Sequence, residues 1–195
     1  MRWVIAISQA TIALGSVLQM LAGRKNQPLS RQRVAKCLLR WSLPINVGVG
    51  GIFAFMGHTF RAKETAEEIG WPPGNPFQSE IAVTNLAFGV LGLLSIRFRG
   101  LFWLATAVGQ AIFLLGAACM HTREMLREKN FNPSNAGAIF FDILEPLAHL
   151  GLLKVYNPLE QQTRPWWRKL LAKIEATASL RCASSLLPAI TALGT

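Results

Sequence analysis

Residues 138–153 read AIFFDILEPLAHLGLL, a run apolar enough to lie in a bilayer that nevertheless carries Asp142, Glu145 and His149. At 3.6 residues per turn these positions, spaced i, i+3 and i+7, fall on one face of a helix. An ionisable side chain in hydrocarbon costs at least about 2.5–3.5 kcal/mol on insertion scales. Three of them in one stripe need a polar interior to face, and other helices of the same bundle must supply it. The rest of the chain is read as the enclosure of that interior.

Composition points the same way. Of the 195 residues, 51% are hydrophobic and 15% are charged, against roughly 25% charged in soluble domains. The charges cluster in short segments between long apolar runs, as in a multi-pass membrane protein. The net charge of +10 raises nucleic acid as a partner. Most of the basic residues, however, fall in connecting segments, where membrane topology alone collects Lys and Arg. No basic face, finger or recognition helix accompanies them, so no nucleic acid is expected. Cys37, Cys119 and Cys182 are far apart and form no C-x-x-C, which predicts neither a disulfide framework nor a cysteine zinc site.

The apolar runs predict five transmembrane helices, at about residues 3–22, 37–57, 76–96, 101–120 and 134–154. A cleaved signal peptide is the rival reading of the first. Its apolar core is long for one, and Leu21-Ala22-Gly23 is a poor cleavage site. Arg24, Lys25, Arg31, Arg33, Lys36 and Arg40 follow with no acid among them, which places that segment in the cytoplasm and the N-terminus outside an inner or plasma membrane. Pro44 is expected to kink the second span, and Gly48, Gly50, Gly51 and Ala54 offer a face where a neighbour can approach closely. Residues 63–68 have helix-forming character. Gly70-Trp71-Pro72-Pro73-Gly74 then stops any helix, with Trp71 suited to the lipid headgroup level. Asn75-Pro76 and Asn132-Pro133 each start a span, Gln78 stands three residues after the Asn75 cap, and Pro146 should bend the last span.

Residues 1–156 thus form the transmembrane domain and residues 157–195 a basic cytoplasmic tail. In the tail, Trp166, Trp167, Leu170, Leu171 and Ile174 recur at helical spacing among Arg164, Arg168, Lys169 and Lys173, the pattern of an amphipathic interfacial helix on anionic lipid. The same pattern also suits a helix docked on the bundle or on a partner subunit.

The second and third spans look like the fourth and fifth. Each pair has a His-Thr followed closely by arginine (His58-Thr59, His121-Thr122), an Asn-Pro, and then a carboxylate with a glycine nine residues on (Glu80 and Gly89, Asp142 and Gly151). The predicted fold class is therefore an all-α membrane protein, a four-helix bundle of two similar hairpins plus the N-terminal span.

The runs Gly57-His58-Thr59-Phe60, Ile69-Gly70-Trp71-Pro72-Pro73 and Pro76-Phe77-Gln78-Ser79-Glu80 resemble a family of small multi-pass prokaryotic integral membrane proteins with no assigned function. Asn135-Ala136-Gly137, Asp142 and Pro146 fit the same pattern, so the resemblance covers about residues 47–153 and leaves the first span and the tail outside. It implies a helical bundle and no particular activity. In size and topology alone the chain is loosely similar to DoxX-like proteins, some of which are linked to quinone or thiol redox systems.

This topology brings His58, Glu80, His121 and Asp142 to one membrane face. Glu145 and His149 lead inward, His149 about 10 Å below Asp142 at 1.5 Å per residue. Asp142, Glu145 and His149 are the candidate catalytic residues, as acid–base groups or a proton relay. His58, Glu80, Asn85 and His121 are candidate ligand-binding residues. His58, Glu80, His121 and Asp142 are a candidate set for a divalent metal such as zinc, iron or manganese, although they match no specific metal motif. The cofactor stays open between quinone and divalent metal. The plainer alternatives also stay open: histidines in the headgroup region, Glu80 capping its helix or pairing with Arg61, and structural hydrogen bonds from Asp142 and Glu145 to Asn46, Asn85 or Gln110.

The expected function is a site open to the extracytoplasmic side that binds a small or lipid-soluble ligand, with acid–base or redox chemistry. One alternative is an accessory or assembly subunit that meets a partner membrane subunit or its own copies. Another is a small oligomeric transporter or channel. Whether the protein is an enzyme is not decided by the sequence.

Overall fold

The computed structural model describes residues 2–23 and 28–159, and every regular element among them is helical. In order these are α1 (Arg2–Ala22), α2 (Arg31–Ser42), a π-helical stretch Leu43–Val49, α3 (Gly50–Phe60), α4 (Ala62–Ile69), α5 (Phe77–Leu94), α6 (Leu101–Arg127) and α7 (Pro133–Tyr156). The expected amphipathic helix of the tail lies outside the described residues, as do Arg24 and Lys25.

Four helices are long and apolar enough to cross a membrane: Arg31–Phe60, Phe77–Leu94, Leu101–Arg127 and Pro133–Tyr156. The described apolar part of the N-terminal helix, Ala6–Ala22, is shorter. The first of the four is a single rod made of α2, the π stretch and α3, longer at both ends than the expected 37–57. It starts where the Ser30 hydroxyl accepts a hydrogen bond from the Arg33 backbone N–H at 3.2 Å, so the basic segment is already helical. Pro44 does not break the rod. Proline has no N–H to donate and its ring crowds the carbonyl one turn back. The chain relieves both by widening into the π turn.

Two antiparallel hairpins build the bundle. The π stretch and α3 lie along α5, and α6 lies along α7. The α2 helix joins the hairpins by packing on α7, and α1 packs on α2. The first hairpin is held at a glycine notch. A Cβ on Gly51 would sit 2.7 Å from the Asn85 carbonyl oxygen and the Gly89 nitrogen, and one on Gly92 would overlap the backbone of Gly48. The two backbones touch there, as small residues allow in apolar helices. Gly50 faces away from this contact.

Antiparallel to α2, α1 is held by a ladder of polar contacts. Gln9 Nε2 donates to Asn46 Oδ1 at 3.2 Å, Gln19 Oε1 accepts from Trp41 Nε1 at 3.1 Å, and the Met20 carbonyl accepts from Arg33 at 2.8 Å. Gly15 lies directly under the Trp41 ring.

The core gathers at one end of the bundle, where Ala35, Leu39, Leu43, Val47, Trp103, Ala107, Leu153 and Tyr156 pack together. Trp103 is fully buried there and donates its indole N–H to the Ser95 carbonyl at 2.9 Å. That end also carries Arg31, Arg33, Lys36, Arg40, Arg97, Arg99 and Lys154, and no acid among the described residues. Glu64, Glu67, Glu68, Glu80, Glu124 and Glu128 all lie toward the opposite end, which holds Trp71.

Candidate functional site

The stripe on α7 leads from the Trp71 end into the bundle. Asp142 lies within electrostatic reach of His121 on α6 and of Glu145 one turn further in. Glu145 Oε1 accepts a hydrogen bond from Gln110 Nε2 of α6 at 2.9 Å. His149 is 2% exposed, with Nε2 3.1 Å from the hydroxyl of Ser42, the last residue of α2. The π turn begins at the next residue, and π turns are frequent at functional sites.

Two buried atoms of this group have no hydrogen-bond partner among the described residues: Gln110 Oε1 and His149 Nδ1. Leaving such an atom unsatisfied costs roughly 1–3 kcal/mol. Beyond His149 the polar stripe stops. Leu153 and Tyr156 of α7 close against Leu39, Leu43 and Trp103, so the polar column ends on an apolar plug.

At its outer end the column meets a network that ties the two hairpins together. His121 Nδ1 is 2.6 Å from Asn135 Oδ1. Its ring stacks on Trp71, with centroids 6.0 Å apart and planes 12° from parallel. Trp71 Nε1 donates to the Glu124 carboxylate, 3.0 and 2.9 Å from its two oxygens. Asn130 Nδ2 donates to the Ile69 carbonyl at 2.9 Å, and Asn135 Nδ2 donates to the Asn130 carbonyl at 2.8 Å.

Gly70 makes this fit possible. Its φ of +89° favours glycine, and a Cβ would run into the amides of Asn132 and Asn130. The strap Gly70–Trp71 is thus seated on the far hairpin, beside a groove of about 430 Å³ lined in part by Pro72, Glu128 and Lys129. Trp71, expected at the headgroup level, holds the Glu124 carboxylate. The preceding helix α4 keeps Glu64, Glu67 and Glu68 exposed, buries Ala66 and Ile69, and packs on α7.

Several expected site residues lie elsewhere. His58 is half-buried beside Gln78, with its Nδ1 3.4 Å from Gln78 Nε2. Gln78 does not close a capping box. It is buried and donates to the Ala62 carbonyl at 2.7 Å. Glu80 is exposed in the first turn of α5. Asn85 donates to the Ile81 carbonyl of its own helix at 2.9 Å, and its backbone oxygen faces Gly51.

The expected metal set His58, Glu80, His121 and Asp142 therefore does not assemble. Among the described residues no group of three or more His, Cys, Asp or Glu is placed to hold a metal ion. The two histidines share an end of the bundle but belong to separate hairpins, each engaged by its own amide partner.

Ser42, Glu124 and Asn130 carry no signal of their own in the sequence. Ser42 directly precedes the Leu-Pro of the widened turn, and Glu124 sits in a segment of mixed charge that reads as an ordinary surface.

Apolar, membrane-crossing helices packed as a bundle define the class: this is a multi-pass membrane protein. The chain belongs to a family of unknown function, DUF6790, whose model matches residues 3–162. No curated protein and no solved structure matches it. The family match takes in α1, which the signature over residues 47–153 left outside, and nothing carries the looser likeness to DoxX-like proteins.

Proposed function

We propose that the protein binds a small ligand at a one-sided polar site inside the membrane. Glu145 and His149 form the acid–base pair, and Asp142, Gln110 and Ser42 position it. The observation that carries this reading is the pair of unpartnered buried atoms, Gln110 Oε1 beside Glu145 and His149 Nδ1 one turn further along α7. A protein that only needed its helices to adhere would gain nothing from two unsatisfied polar atoms at that depth. A ligand offering a hydrogen-bond donor to Gln110 and a complementary group to the imidazole satisfies both.

The apolar plug supports a closed site over a through-pore. The seven basic residues at the plug end support a cytoplasmic placement for that end. In this topology the polar column opens on the extracytoplasmic side, and α1 crosses as a fifth span with its N-terminus outside.

The test is mass spectrometry of small molecules extracted from purified wild type, Glu145→Gln and His149→Phe. Wild type is expected to carry a stoichiometric organic molecule that both variants lose while keeping their helical circular dichroism. Identical extracts from all three would overturn the reading. A second protein recovered in stoichiometric amount and cross-linking to Asp142 would replace it with the accessory-subunit alternative.

A further inference from the structure

Resting on that site, we infer that its ligand is a small, polar, water-borne solute that enters from the Trp71 end, with Gly70–Trp71 as the door. Two entrances are conceivable for a site on α7, sideways from the lipid or endwise from water. The lateral flank of the stripe is apolar: Phe140, Phe141, Ile143, Leu144 and Leu147 are all exposed around it. A solute crossing there would leave every hydrogen bond behind.

Endwise, polar groups recur at successive levels of the bundle. Glu124 and Asn130 hold the strap, His121 and Asn135 lie beneath it, Asp142 lies within electrostatic reach of His121, and Glu145 with Gln110 leads to His149 and Ser42. Trp71 lies across this route on the face of His121. Its polar hold is an indole N–H on one carboxylate, and its carrier α4 packs on α7 and is tied to the first hairpin, where Thr65 Oγ1 donates to the Gly57 carbonyl at 3.0 Å. The strap is thus a short lever from one hairpin, latched on the other by the Glu124 carboxylate, the Asn130 amide and the face of His121.

Carbodiimides test this on the native carboxyl groups. Each reagent adds whole to a carboxyl and ends as an N-acylurea, which raises the peptide mass by one reagent. Protein reconstituted in phosphatidylcholine vesicles is treated with a water-soluble or a lipophilic carbodiimide, and labelling of Asp142 is followed over time. Trp71→Phe keeps an aromatic ring and removes the indole N–H, and Glu124→Gln removes the charge of the latch.

Both variants should raise the water-soluble rate at Asp142 by about tenfold, the effect expected for losing one charge-assisted hydrogen bond. The lipophilic rate should stay as in wild type. If the lipophilic reagent is the faster one in wild type and neither variant changes the water-soluble rate, entry is from the lipid and the door is refuted. Thermal melts of both variants establish that they are folded. Because this readout reports access to a carboxyl group and not ligand content, its failure would leave the extraction result above standing.

Discussion

His149 and Ser42 show how much depends on a single partner in an apolar interior. The imidazole is 2% exposed, and its Nε2 meets the Ser42 hydroxyl. Ser42→Ala should therefore strand a second imidazole nitrogen and cost roughly 1–3 kcal/mol, whereas replacing both polar partners with apolar ones is expected to be nearly neutral. Ser42→Ala combined with His149→Leu should thus be more stable than the sum of the two single changes. Thermal unfolding of all four proteins in one detergent measures the coupling, and simple additivity would show that the 3.1 Å contact contributes nothing. The comparison also separates stability from function, since the double variant should fold yet bind no ligand.

Among the elements, the hairpin of α3 and α5 is the most exacting. Gly92→Ala pushes a methyl group into the backbone of Gly48, where no side chain is present to turn aside. Overpacking of this kind costs about 1–3 kcal/mol. A methyl group added at Gly116 on α6 would meet nothing within 4 Å, so Gly116→Ala should be neutral or gain up to about 1 kcal/mol of helix propensity. The two melting temperatures should therefore move apart, and a Gly92→Ala protein as stable as wild type would mean that the notch is looser than its distances.

These elements also show what a sequence can disclose. The stripe on α7 is legible because the phase of i, i+3 and i+7 is a property of any helix. So are the small-residue face and the Asn-Pro starts, which depend on neighbours in the chain. Which helix answers each polar group is not. Gln110 meets Glu145 only because of the register of α6 against α7, and Trp71 reaches a carboxylate 53 residues away. Glu80 is misplaced for the same reason: a weak internal repeat gives it the role of Asp142, but the two carboxylates occupy helices whose inward faces are set by different contacts.

At the scale of the whole molecule, one end is purely basic among the described residues and the other mixes both signs. Among the described residues, seven Lys and Arg with no acid gather beside the plug, and the acids of α4, α5 and α6 gather at the Trp71 end. Short loops obey this bias when a chain inserts. Alkaline phosphatase fused after Gly74 should be active, and fused after Gly100 it should be silent; the opposite pattern would invert the topology and put the mouth of the site in the cytoplasm.

The packing of Leu39, Leu43, Trp103, Leu153 and Tyr156 carries one last consequence. For the proposed site entered from the Trp71 end, this packing seals the foot, so a solute that descends as far as His149 must climb back by the route it took. Such a molecule does not sustain a steady current across the bilayer. Each visit is a round trip, and any lasting change must be made in the visitor itself, or in the protein, before it leaves.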